Sequence, residues 1–184
     1  SKGRVKDLIK TAEKNAREAL ERKIAMKASQ QSVFEEVETW LKIEKKIRKI
    51  EVYDNSHIQG SFPIGCLVAI NSEGYSKSDY RKYNINDSSI NPKDDLAIMR
   101  HVFERRFGKK KNENIDDFSK NFPDLIVIDG GQNQMNVASA VLKKHKIEIP
   151  ILAIAKGEKR NEGREDFYFQ DRIFNFPTSS SLLF

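Results

Sequence analysis

A chain of 184 residues, 38% of them hydrophobic, is long enough for one domain with a true core, which argues against both a wholly disordered chain and two full domains. No apolar run approaches the roughly 20 residues of a membrane span, Ser1-Lys2-Gly3-Arg4 lacks the apolar core of a secretory signal, and the single cysteine, Cys66, permits no internal disulfide, so a soluble cytoplasmic protein with no membrane partner is expected. Thirty-three Lys and Arg against 27 Asp and Glu leave a net charge of +6, compatible with a polyanion such as DNA without demanding one.

From Val5 onward, Leu8, Ile9, Ala12, Ala16, Ala19, Leu20 and Ile24 recur at spacings of three and four, the stripe of an amphipathic helix expected to end near Ser29. Ser32 followed by Glu35 has the form of a capping box, and Val33, Val37, Trp40 and Leu41 give a second helix its apolar face. The basic blocks Lys45-Lys46 and Arg48-Lys49 follow. A helical segment over 1–47 and a second unit over 48–184 are expected. The period then changes to two, with Ile50, Val52 and Asp54 alternating against Glu51 and Tyr53, and Ile64 to Ile70 forms a short apolar run holding Cys66. Both predict strands. Turn chemistry at Asn71-Ser72-Glu73-Gly74 leads to a third alternating segment over 80–85, so a three-stranded antiparallel meander is expected.

Asn91-Pro92-Lys93-Asp94 predicts a helix start with Asn91 as N-cap, the helix burying Leu96, Met99, Phe103 and Phe107. The polar stretch 109–120 reads as a surface loop. Leu125-Ile126-Val127-Ile128 suits a strand covered on both faces. Gly130-Gly131 then opens a helix with Met135, Ala138 and Leu142 inward, Ile151 to Ala155 forms another buried strand, and Phe167-Tyr168-Phe169 a last short one. The order is that of an α/β, ribonuclease H-like mixed sheet flanked by helices.

Asp54 and Asp129 each stand at a predicted strand end, and their carboxylates meet at one sheet edge if the strands are neighbours. Two carboxylates there are the minimum seat for a hard cation such as Mg2+ or Mn2+, which masks phosphodiester charge and supplies hydroxide at neutral pH. Asp also ends strands and caps turns, so position alone leaves both readings open. Asp94 sits where a helix dipole favours acids, whereas Asp95 is turned about 100° from it and is the candidate third carboxylate. Gly130 and Gly131 offer amides to a phosphate. His57 is a possible proton carrier, and Arg81, Lys82 and Lys156 are candidate phosphate-neutralising residues, although each of the three also suits a solvated surface. A nucleotide-binding α/β domain built on Gly130-Gly131 is disfavoured, because no longer glycine pattern accompanies the pair.

The phrases Val52-Tyr53-Asp54-Asn55-Ser56-His57-Ile58-Gln59-Gly60, Tyr80-Arg81-Lys82-Tyr83-Asn84-Ile85, Lys93-Asp94-Asp95-Leu96-Ala97-Ile98-Met99-Arg100, Leu125-Ile126-Val127-Ile128-Asp129-Gly130-Gly131 and Ala155-Lys156-Gly157 together resemble the UvrC family. Family members are the incision subunits of bacterial nucleotide excision repair. The resemblance implies a ribonuclease H-like endonuclease domain that cuts on the 5′ side of a DNA lesion, with Asp54, Asp95 and Asp129 as its matching acids. It also implies a family histidine and DNA-binding helix-hairpin-helix motifs beyond residue 184, an amino-terminal GIY-YIG nuclease that is not recognisable in this sequence, and contact with UvrB through a segment outside this chain. Gln132-Asn133 stands where the family has Lys-Gly, and Lys93 and Leu96 stand where it has Gly and Tyr around the acid pair. On this reading the 184-residue chain is expected to cut DNA poorly or not at all, and not to make the 3′ cut. The competing expectation is a catalytically incomplete relic of the same fold that binds DNA or repair partners without cutting.

Overall fold

A computed structural model describes residues 2–56, 63–85, 87, 90–108, 121–156 and 165–174. His57, the expected loop over 109–120 and the segment beyond Phe174 lie outside them. The order is α1 (Lys2–Leu41), β1 (Lys49–Ser56), β2 (Ile64–Asn71), β3 (Gly74–Tyr75), β4 (Arg81–Asn84), α2 (Asp95–Phe107), β5 (Leu125–Asp129), α3 (Gln132–Lys144), β6 (Ile151–Lys156), β7 (Glu165–Phe169) and β8 (Arg172–Phe174). These strands form one sheet in the order β3-β2-β1-β5-β6-β7-β8, with β4 also paired to β2. β1 is antiparallel to β2 and parallel to β5, β5 is parallel to β6, and β7 runs antiparallel to β6. This is the mixed sheet expected, with β8 as an unforeseen edge strand and with β3 and β4 sharing the outer edge of β2.

Each face of the sheet has its own core. Tyr53, Leu67, Ala69, Ile126, Ile128 and Ala153 pack beneath α2 and α3, whereas Ile50, Leu125, Leu152, Phe167 and Phe169 pack against Phe34 and Leu41 at the end of α1. β2 and α2 approach closely at Gly65. A Cβ placed on Gly65 would fall inside the van der Waals radius of the Val102 Cγ2 methyl. Gly65→Ala is therefore expected to destabilise the domain by about 1–3 kcal/mol, the range for overpacking. Urea unfolding at constant m-value checks it.

Two expected boundaries are corrected. The break near Ser29 does not exist, because α1 runs unbroken from Lys2 to Leu41. No Gly or Pro falls between Arg4 and Leu41, and the face carrying Leu20 and Ile24 stays in phase with Phe34 and Leu41, so nothing interrupts the ladder. The helix ends at Lys42, whose φ of 55° is left-handed, and Ile43 N–H donates back to Glu38 O over 2.9 Å. Asn91 is not an N-cap either: its side chain accepts from Lys93 N–H in a turn, while Asp94 Oδ1 accepts from Leu96 N–H at 3.1 Å and Ala97 N–H at 3.0 Å and starts α2. With the start moved, Leu96 is exposed and Ile98 and Val102 join Met99, Phe103 and Phe107 in the core.

Asp124 ties the entry of β1 to the entry of β5. Its carboxylate accepts from the N–H groups of Arg48 and Lys49 and pairs with Lys45 Nζ at 2.8 Å. Burial works to raise its pKa, but Lys45 and the two amides outweigh burial and hold it below the ordinary carboxylate value. A depressed folded pKa contributes stability above the unfolded value of about 3.9, and this contribution is lost as pH falls through the folded one. Asp124→Asn is thus expected to lower the Tm at pH 7 and to lose that difference below about pH 4, as paired thermal melts would show.

Candidate functional site

β1 and β5 are parallel neighbours in a register that pairs Tyr53 with Ile128. The next residues, Asp54 and Asp129, are therefore side by side. Tyr53 and Ile128 belong to the core beneath α2 and α3, so alternation turns Asp54 and Asp129 together to the opposite face, the one that α1 covers further along. Both are exposed. Asp129 is the last residue of β5, while Asp54 stands two residues short of the end of β1, which continues to Ser56. Carboxyl ends of parallel strands are where open α/β sheets place their ligands.

The same row extends across the sheet. Cys66 of β2 pairs with Asp54 on one side and with Lys82 of β4 on the other, so Lys82, Cys66 and Asp54 share a face. Arg81 points to the other face, alongside Tyr83, and donates through Nη1 to Ser78 O and Tyr80 O. Lys156, the last residue of β6, brings its backbone to the same end of the sheet, two positions beyond the Ile154 that pairs with Asp129. Ordinary packing accounts for Cys66, which is half-buried within β2.

Asp95 is set at this end by α2, on the opposite face. Its backbone carbonyl accepts from Asn55 Nδ2 at 3.3 Å, which fastens the first turn of α2 to the residue after Asp54. The sheet edge, not a shared face, is thus what relates Asp95 to the Asp54–Asp129 pair. Among the described residues, no group of three or more His, Cys, Asp or Glu stands close enough to hold a metal by itself.

Gly130 and Gly131 turn the chain from β5 into α3, and their amides are already engaged. Gly130 N–H donates to Ile154 O at 2.9 Å and Gly131 N–H to Gln134 Oε1 at 2.7 Å. An anion at this helix start would have to displace the Gln134 side chain. A Cβ on Gly130 would meet the far end of that same flexible side chain, which would have to shift.

Sequence reasoning passed over Glu51. It is 1% exposed, accepts from Tyr53 Oη at 2.7 Å and from Arg106 Nη2 at 2.8 Å, and lies 3.4 Å from Lys49 Nζ. Burial, then the Glu51 carboxylate, pushes Tyr53 well above its ordinary range. This network anchors α2 beneath β1, three residues before Asp54 and on the opposite face. A groove of about 600 Å³ lies elsewhere, along α3 and the β7–β8 turn, and is lined by Met135, Leu142, Ile147 and Ile149 among others and by none of the three candidate acids.

Residues 38–184 match the model of the family described as the UvrC RNAse H endonuclease domain. Among curated relatives, the UvrABC system protein C of Sphingopyxis alaskensis is 40% identical over 185 residues, covering all of this chain and 29% of the relative. The UvrABC system protein C of Novosphingobium aromaticivorans is 43% identical over 180 residues, covering 96% of this chain and 27% of the relative. The chain thus spans under a third of the length of the curated relatives it matches. A crystal structure of human ENDOV superposes with a TM-score of 0.42 at 10% identity, over 64% of this chain and 50% of that one.

Proposed function

Because this chain belongs to the UvrC RNAse H endonuclease domain family, we propose that it carries the nuclease centre of a DNA-repair excision complex, hydrolysing a phosphodiester 5′ to a lesion with a divalent cation held by Asp54 and Asp129. The observation that supports this reading above the others is the side-by-side placing of those two acids on one face at the carboxyl end of parallel strands.

The donor set suits the cation. Exposed carboxylate oxygens are hard ligands for Mg2+ or Mn2+, and Mg2+ is commonly held by one or two carboxylates together with substrate phosphates and water. A two-acid seat without a third close ligand fits that mode better than an all-protein cage. The cation, when bound, masks phosphate charge and lowers the pKa of a bound water. Asp54 and Asp129 bind and orient it, and Asp95, fixed by the Asp94 cap and the Asn55 bond, is the proposed third catalytic acid, approaching from across the sheet edge. Lys82, in the same row as Asp54, with Arg81 and Lys156 near the same end, would neutralise neighbouring phosphates, and Gly130 and Gly131 would do so only if Gln134 yields.

The remaining elements of the proposal follow from the family. The substrate is DNA, the partner UvrB is reached through a segment outside residues 1–184, and the site of action is the cytoplasm. Residues 48–184 form the endonuclease domain, and 1–47 a helical segment whose last turns close one face of the sheet. Among the described residues no helix is long and apolar enough to cross a membrane. The test is duplex binding and Mn2+-dependent nicking across a salt series. Affinity should fall steeply from 50 to 200 mM salt without sequence preference, since phosphate contacts release counterions. Binding that ignores salt, together with no cation-dependent nicking in any form of the protein, would reject the proposal.

A further inference from the structure

The outer edge of the sheet beside β2 is a four-residue strand, Arg81–Asn84, whose two cations Arg81 and Lys82 are both exposed. A third cation reaches it from a different element. Arg105, exposed in the last turn of α2, lays its guanidinium over the Tyr83 ring, with Cζ 5.3 Å from the centroid, and donates through Nη1 to Asn84 O at 2.9 Å. One of five guanidinium donors is spent on that carbonyl. The stack and the bond hold the side chain in one place without neutralising it. Acids close by in sequence or space are occupied: Glu104 is bound by Lys144 and His145, each at 2.7 Å, and Asp79 by Lys49 at 3.2 Å.

This edge stands in line with the candidate metal seat. Lys82 is separated from Asp54 by β2 alone, two strand spacings of about 4.8 Å each. A backbone whose scissile phosphate lies at Asp54 and Asp129 would, on leaving across β2, pass Lys82 on the same face and then, on rounding the β4 edge to the opposite face, meet the fixed planar cation Arg105 on Tyr83. Arg on an aromatic face is well suited to a phosphate, because the planar fork is pre-organised and weakly hydrated.

We propose that Arg105, seated on Tyr83, is a phosphate contact that with Arg81 and Lys82 carries the DNA backbone across the β4 edge, a positioning residue for the nuclease reading on which this inference rests. The experiment measures affinity for a fluorescein-labelled duplex by anisotropy at several salt concentrations, without metal, for the 184-residue chain, Arg105→Gln, Arg105→Lys and Lys143→Gln. Lys143 is exposed on α3, away from the β4 edge, and controls for net charge. Arg105→Gln is expected to weaken binding about 5-fold at 0.1 M salt and to lower the salt slope by about 0.9, the loss of one phosphate. Arg105→Lys should keep most of that slope, and Lys143→Gln all of it. An unchanged slope in Arg105→Gln overturns the contact, and so does an equal loss in Lys143→Gln, which would mean bulk charge. An equal loss in Arg105→Lys would assign the effect to packing on Tyr83 and overturn it as well. If the unsubstituted chain does not bind the duplex at low salt, the DNA reading itself fails, an outcome distinct from failure of Arg105 alone.

Discussion

Asp54→Ala and Asp129→Ala are each expected to reduce, by about 10³-fold or more, whatever Mn2+-dependent nicking the protein supports, and to remove Mn2+ binding with it. The size follows from the several kcal/mol that a bound cation contributes to phosphoryl chemistry, at about 1.4 kcal/mol per tenfold. Both side chains are exposed, so neither substitution should shift the Tm appreciably. Titration of Mn2+ by electron paramagnetic resonance beside plasmid nicking separates loss of the cation from loss of the fold. Asp95→Ala, whose side chain is set by α2, should lower nicking while leaving more of the Mn2+ binding intact. Equal Mn2+ affinity in Asp54→Ala and the unsubstituted chain would remove Asp54 from the seat.

The largest effect on stability is expected at the Glu51–Arg106 pair. Arg106 donates to both oxygens of Glu51, through Nε at 3.2 Å and Nη2 at 2.8 Å, and a third time to Asn121 O. Burial works to lower the Arg106 pKa, yet the Glu51 carboxylate outweighs burial and holds it above its ordinary value. Removing one partner leaves a charge in the core, which typically costs about 3–5 kcal/mol. Arg106→Met should therefore lower the Tm by roughly 10 °C, at about 2–4 °C per kcal/mol for a domain of this size. Replacing both, Glu51→Met with Arg106→Met, should recover part of the loss, because no unpaired charge remains. A double variant less stable than either single one would show that the pair stabilises the fold beyond mutual neutralisation.

The adjacency of Asp54 and Asp129 was legible because each follows an apolar strand segment ahead of turn chemistry, a pattern that survives whatever packs on the sheet, whereas their proposed role as a cation seat rests on the family resemblance. The mixed sheet was legible for the same reason, as Ile64 to Ile70 and Leu125 to Ile128 each carry enough branched apolar residues to specify a strand alone. Glu51 was not legible: alternation marks Glu51 and Tyr53 as a polar face, and only the arrival of Arg106, 55 positions later, makes that face a core. Nor was the continuity of α1, since Ser32 and Glu35 form a capping pattern equally compatible with a helix interior when the stripe stays in phase. Asn91 and Asp94 are both residues that cap helices, and the choice between them goes with an α2 that puts Val102 against Gly65 and buries Ile98 in the same core. Arg105 escaped notice because its placement depends on Tyr83, a residue of another element.

The parallel pairing of β1 with β5 has a kinetic consequence. Nothing local draws these strands together, for Lys49 and Asp124, which pin their entries, are 75 positions apart, and closing such a loop costs entropy before any contact repays it. Topologies dominated by contacts of this range fold slowly. Hairpin β1–β2 and the α2–α3 pair can form from nearer neighbours, but the two acids become adjacent only when the long closure is complete. On the proposed reading, a cation that needs both acids would bind the finished fold and not its precursors, and by mass action would raise the population of molecules in which that closure has been made.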